Sequence, residues 1–257
     1  MRFVPRLALQ FAVLSIVGSS SVILAQPLTQ IAATGATATA AASLPPKFTF
    51  HLFWKDENAA TQAMAASVQA AVAKHPDRAS WNSVHVKDPA QQELVAKYRL
   101  ERAPMPLVLC VAPNGAITSA ITQPLTDEFV EVALVTPAMA DCMKALQAGK
   151  IVVVHVKPSG QTPLPMAAVG IAADPHFKDR TQVISVVPTD PAENRFFKDM
   201  DVDRSTLKDS LLIVMAPPKA FIGKFPPTAT KDQIAAALAA AGKCCDDPNC
   251  QHNQPAK

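Results

Sequence analysis

Residues 98–119 read YRLERAPMPLVLCVAPNGAITS. The stretch holds the end of a helix, prolines at 104 and 106, and then an apolar run over 107–111. Pro113-Asn114-Gly115 supplies turn chemistry, because proline presets φ and glycine takes a positive φ without steric cost. A second β-prone run follows over 116–121. Together these predict a β-hairpin with a proline directly before its first strand. A similar unit returns over 211–225, with Pro217-Pro218 at the turn.

Outward from the hairpin, the rest of the first half takes shape. Residues 47–54, KFTFHLFW, alternate and are rich in aromatics, which predicts a strand. Asp56 is placed to cap a helix over 57–74 that carries Ala63, Met64, Val68, Ala71 and Val72 on one face. A short strand over 81–86 follows. Asp88-Pro89 then opens a helix to Tyr98, with the cap at Asp88 and proline at the first helical position. Thr126 caps a closing helix over 126–135. The order is β-α-β-α-β-β-α.

The second half repeats it. A connecting helix over 139–149 ends in glycine. IVVVHV, over 151–156, is an apolar run bounded by lysines and predicts a buried central strand. Then come a helix over 162–173 interrupted by Pro163 and Pro165, a strand over 182–187, a helix from Asp190-Pro191-Ala192 to Met200, strands over 211–215 and 221–225, and a helix over 230–241 capped by Thr230 and stopped by Gly242. Asp88-Pro89-Ala90 recurs as Asp190-Pro191-Ala192, 102 residues on. Ala112-Pro113 recurs as Ala216-Pro217, and Thr126 as Thr230, both 104 residues on. An offset this steady argues for duplication of one domain, at a period too long for a solenoid.

The remaining segments are of other kinds. Residues 1–25 read as an export signal, with Arg2 and Arg6 before an apolar core over 7–17 and Ile23-Leu24-Ala25 as the cleavage site. An uncleaved anchor is the alternative; Gln10 and the serines Ser19 to Ser21 break the apolar zone short of the ~20 residues a span needs. Residues 26–46, rich in Ala, Thr and Pro, read as a flexible spacer. The domains are then 47–136 and 150–242, joined by a connecting helix over 137–149 and followed by a tail over 243–257. Net charge is +3 in full and +1 without Arg2 and Arg6, with no basic stripe, which excludes a nucleic-acid binder. With eight glycines in all, there is no phosphate-cradling loop, and no serine sits in a nucleophile elbow.

This element order resembles the thioredoxin fold, twice over, across residues 47–241. Met105-Pro106-Leu107-Val108-Leu109 followed by Asn114-Gly115 is similar to that family's cis-proline segment. The resemblance implies an α/β fold class, tandem domains each with a central mixed β-sheet flanked by helices, and a cis Met105–Pro106 bond. The second copy has Asp209-Ser210 there and no proline. The family's Cys-x-x-Cys belongs at the start of the first helix, where the helix N-terminus lowers a thiol pKa. Here that position reads Phe53-Trp54-Lys55-Asp56-Glu57-Asn58, and in the second copy Val156-Lys157-Pro158-Ser159-Gly160, with no cysteine in either. The resemblance therefore implies a non-catalytic binding or scaffolding module, and the export signal places it in the periplasm or outside the cell. It would hold another exported protein on a surface made by Trp54, Lys55, Asp56, Glu57, Met105 and Pro106. Neither nucleic acid nor, once the signal is removed, a membrane span enters this reading.

Five cysteines remain, an odd number for an exported chain. Cys110 reads as a buried strand residue, and Cys142 as either buried or paired. The tail, with Cys244, Cys245, Cys250 and His252, admits three readings. One is a small disulfide loop from Cys250 to Cys244 or Cys245. Another is a Cu(I) or Zn site made by the three thiols and His252, the competing function being metal or thiol handling. The third is a redox role, disfavoured by the preceding helix C-terminus and by Asp246 and Asp247. Away from the tail, an oxidoreductase would need Cys110 or Cys142 to replace the lost pair. His51, His85 and His155 fall on predicted strands without metal spacing; His51 and His155 hold matching places in the first strand of each repeat and read as structural.

Overall fold

The computed structural model describes residues 46–242. The segments expected to be an export signal and a spacer, up to residue 45, and the cysteine-bearing tail lie outside the described residues. The first domain runs β1 (Phe48–Trp54), α1 (Ala59–Val72), β2 (Ala79–His85), a 3₁₀ turn (Pro89–Gln91) leading into α2 (Gln92–Lys97), β3 (Leu107–Val111), β4 (Ile117–Ile121) and α3 (Asp127–Ala133). Helix α4 (Pro137–Gln147) leads into β5 (Ile151–Val156), α5 (Met166–Ala173), β6 (Thr181–Val186), a 3₁₀ turn (Pro191–Glu193) and α6 (Asn194–Asp199), β7 (Leu211–Ala216), β8 (Ala220–Phe225) and α7 (Lys231–Ala241). No helix among the described residues is long and apolar enough to cross a membrane.

Two four-stranded sheets result, ordered β2-β1-β3-β4 and β6-β5-β7-β8. In each, the first strand pairs parallel with the second and antiparallel with the third, and the last two strands form the hairpin. Both β-α-β-α-β-β-α runs and the mixed character of each sheet match the expected arrangement. The repetition extends to fine detail. Asp88 and Asp190 each cap a 3₁₀ turn, accepting from the amide two residues on at 2.9 Å. Arg99 and Asp201, just past α2 and α6, both take positive φ (53° and 50°), a conformation side chains other than glycine rarely adopt. Both hairpins slip register at the same place, Cys110/Val111 and Val214/Met215. Gly115, at φ 83°, makes the first hairpin's turn, where a side chain would be strained.

The structure changes some local expectations. Helix α1 begins at Ala59, and its cap is Asn58, whose side chain accepts from the Thr61 amide at 3.0 Å. Asp56 lies a further two residues out and caps nothing; its backbone carbonyl instead accepts from Thr61 Oγ1 at 2.8 Å. The connecting helix starts at Pro137 with Thr136 as its cap, and α5 starts only after Pro165. The two prolines at 163 and 165 hold that segment extended, since each restricts the residue before it.

His51 and His155 are not equivalent. His51 pairs with Leu109, on the face packed by α2 through Phe53, Val84 and Val95. His155 pairs with Leu212, on the opposite face, under α5 and α7. The strand pairings match Leu52 to His155 and His51 to Val154. Side chains alternate faces with period two, so a one-residue difference in offset puts the two rings on opposite sides of their sheets.

Each sheet is packed on both faces. Phe50, Leu52, Val108 and Cys110 meet Met64 and Val68 of α1 and Val130 of α3. In the second domain, Val152, Val154 and Val156 face α4 and α6, while Ile151 and Val153 face α5 and α7. That double covering is why β5 is buried at every position. Helix α4 sits at the seam. Ala138, Cys142, Ala145 and Leu146 pack on the second sheet, while Ala140 and Met143 pack on Ala112 and Ala116 of the first domain's hairpin. The Gln147 side chain bonds both backbone groups of Ile117, accepting from its N–H at 3.0 Å and donating to its carbonyl at 2.6 Å. It acts as one residue of a neighbouring strand on the outer edge of β4.

Candidate functional site

The register of the first sheet builds the site. Leu107 at the start of β3 pairs with Phe53 near the end of β1. The residues just before β3 therefore lie beside the chain as it leaves β1. The peptide bond between Met105 and Pro106 is cis. Facing it, Lys55 and Asp56 cross to the N-terminus of α1. Between them is a recess of about 270 Å³ lined by Lys55, Asp56, Asn58, Thr61, Ala103, Met105 and Pro106.

Four of the six expected residues thus converge: Lys55, Asp56, Met105 and Pro106. Trp54 and Glu57 do not line the recess. Trp54 is turned toward β2, donating from Nε1 to Ser83 Oγ at 2.8 Å and packing its ring 4.4 Å from that of His85. His85 Nε2 lies 3.0 Å from the Lys55 carbonyl and holds the loop at its base. Asn58, Thr61 and Ala103 were not anticipated as lining residues. Asn58 and Thr61 had a local signal, the spacing of a helix cap and its partner amide; Ala103 had none. Lys55 and Asp56 are exposed, while Met105 and Pro106 are half-buried, so charged and apolar side chains share a mainly polar recess.

The corresponding place in the second domain is built differently. Loop 157–165 folds on itself, with Ser159 Oγ 3.1 Å from Thr162 Oγ1. Where the first domain has its cis-proline, Ser210 is buried and bonds His155 Nε2 at 3.1 Å. A second cis bond, Pro217–Pro218, lies instead in the β7–β8 turn. Burial holds His155 below the ordinary imidazole range, and Lys157 adds to this. Burial also lowers His51, against the pull of Asn82, whose Oδ1 is 2.7 Å from its Nδ1.

Cys110 and Cys142 are free and buried. Burial pushes both thiols up to about 12, and the charges of Asp141 and Glu193 add to the effect at Cys142. Burial thus disfavours the thiolate, the form that attacks, at both positions. Cys244, Cys245, Cys250 and His252 lie outside the described residues. Among the described residues no group of three His, Cys, Asp or Glu side chains is arranged to hold a metal ion.

No protein-family model matches the chain, and no curated protein sequence does. Solved structures do. Human ERp44 aligns at 11% identity and TM-score 0.31, over 78% of this chain and 53% of that one. The chain thus spans about half the length of ERp44. The first two thioredoxin domains of Naumovozyma dairenensis Eps1p align at 9% identity and TM-score 0.27, covering 79% of this chain and 94% of that one. The NTD_N/C domain of the alkylhydroperoxide reductase AhpF from Enterococcus faecalis gives 14% and 0.29, covering 75% and 90%. At such scores the assignment stands on the strand order, the repeated hairpin and the proline before β3. The chain is built of two tandem thioredoxin-like domains, and neither has a cysteine where that fold places its dithiol.

Proposed function

We propose that this protein is an exported, non-catalytic binding module that holds another exported protein at the cis-proline face of its first domain. The observation that carries the reading is the recess itself. It sets the apolar side chains of Met105 and Pro106 beside charges of both signs at Lys55 and Asp56, and no cysteine lines it. A partner segment carrying an apolar side chain would seat on Met105, with polar groups on either side meeting the two charges. Trp54, tied to Ser83, supports the loop from behind.

The test immobilises the protein and challenges it with the exported-protein fraction of the cells that make it. The wild type and a variant truncated after Gly242 are expected to retain the same partner. Met105→Arg, which puts a charge in place of an apolar lining side chain, is expected to lower retention at least tenfold. Equal retention by Met105→Arg would refute the reading; loss only on truncation would move the activity to the tail and its Cu or Zn chemistry. Export is checked separately by intact mass, the expected mature chain beginning at Gln26.

A further inference from the structure

Strand β6 is the outer strand of the second sheet, hydrogen-bonded only to β5. Along its open side runs a groove of about 550 Å³, floored by residues 182–185 of β6 and walled by α4 and by Asn114 of the first domain's hairpin turn. We propose that this groove binds an extended acidic peptide segment of a partner, which adds to the second sheet as a fifth strand along β6.

The backbone supplies the pairing groups. The Val186 carbonyl accepts from Lys157 N, so the main-chain groups of Val186 turn toward β5. These groups alternate sides along a strand, so those of Val183 and Ser185 turn outward into the groove. The wall is low there, since Ala145 of α4 and Ala148, which ends that helix, line the groove with small side chains. The charges choose the occupant. Lys144 and Lys150 stand along the groove against one carboxylate, Asp141, which already accepts from Asn114 Nδ2 at 2.8 Å. Lys144 spends one donor on the Gly115 carbonyl at 3.3 Å, and Lys150 has no ion-pair partner among the described residues. Main-chain bonds to an edge strand give affinity for any extended chain, and lysines on the flank select one with Glu or Asp at alternate positions.

The groove is separate from the cis-proline recess, so the two readings fail independently; Met105→Arg should leave this binding unchanged. The probe is an N-acetylated heptapeptide alternating Thr or Val with Glu and carrying a fluorophore on its C-terminal amide, followed by fluorescence anisotropy on the full chain. The expected result is saturable binding, weakened at least tenfold when alternate peptide amides are N-methylated, which removes the pairing donors without touching the protein. Hydrogen exchange at Val183 and Ser185 should slow on binding. Val183→Pro deletes an outward donor where an edge strand tolerates proline and should abolish binding. Lys150→Glu should weaken the acidic peptide about tenfold and favour its lysine counterpart. Circular dichroism verifies that the variants fold. No binding at millimolar peptide, or N-methylated peptide binding equally well, would overturn the proposal. So would protection of Val183 and Ser185 that grows with protein concentration alone, since that would mean pairing between two copies of the chain.

Discussion

Ile213→Ala tests whether the two domains unfold as one. Ile213 is fully buried in β7, paired with Val154 and packed in the cluster that holds Cys142 and Leu146 of α4. Truncating such an isoleucine costs about 2–5 kcal/mol, and a site this enclosed belongs near ~3 kcal/mol. The cost falls wholly in the second domain. Both tryptophans, Trp54 and Trp81, lie in the first. Fluorescence therefore watches the domain that was not touched, while far-UV circular dichroism watches both. What couples them is α4. Burying Met143 against the hairpin contributes about 1.5–3 kcal/mol. The bonds from Asp141, Lys144 and Gln147 to the hairpin add about 0.5 kcal/mol each, the low end of the range because they are exposed. The seam is thus worth about 3–5 kcal/mol, comparable to the perturbation, and the first domain loses all of it if the second unfolds. In urea, with a slope of about 3 kcal/mol per molar for a chain this long, the fluorescence midpoint should fall by about 1 M and coincide with the dichroism midpoint. An unmoved fluorescence transition beside an earlier dichroism phase would refute the coupling and reduce α4 to a linker.

Two further outcomes follow from the buried groups. With Cys244, Cys245 and Cys250 changed to serine, the folded protein should show no thiol reactive to a maleimide at about pH 8, because Cys110 and Cys142 are held near 12; both should react within minutes in denaturant, and fast labelling of the native chain would contradict their burial. His51 and His155 have folded pKa values below the ordinary 6.5, so the unfolded chain binds more protons in the window between those lowered values and 6.5. Their contribution to stability is complete above 6.5 and is lost as pH falls through the folded values. The double variant His155→Leu, Ser210→Ala copies the leucine of the first domain and removes the hydroxyl the ring would leave unpaired; denaturation midpoints from about pH 7.5 to pH 4.5 should fall less steeply than in the wild type. An unchanged slope would mean that His155 does not titrate with unfolding.

Much of this molecule could be read before folding because its signals are local. Turn prolines, capping residues and a proline ahead of an apolar strand act within a few residues of themselves, and the duplicated offsets held wherever they were carried by such positions. The histidines show where that reasoning stops. They share a strand and an apparent offset, yet insertions between the repeats make the offset drift from 102 to 104, and in a strand one residue decides the face. The candidate site divides in the same way. Lys55, Asp56, Met105 and Pro106 came from the resemblance to the thioredoxin fold, and the sheet register does bring their two loops together. Trp54 came from it too, but its direction depends on Ser83 across the sheet.

Helix α4 is the instructive case between these extremes. Its sequence, PAMADCMKALQ, is apolar around most of its circumference, and six of its eleven residues are buried, more than one stripe facing one sheet requires. Its polar positions are Asp141, Lys144 and Gln147, spaced by three along one line. In the structure each of them bonds the first domain's hairpin, at Asn114, Gly115 and Ile117. A surface helix would turn such a line to water. Here the apolar flank beside it, Ala140 and Met143, is buried on the same hairpin, so the line follows the interface rim. The helix therefore has two partners, and the side chains that look solvated in the sequence are those that fix the register between the domains.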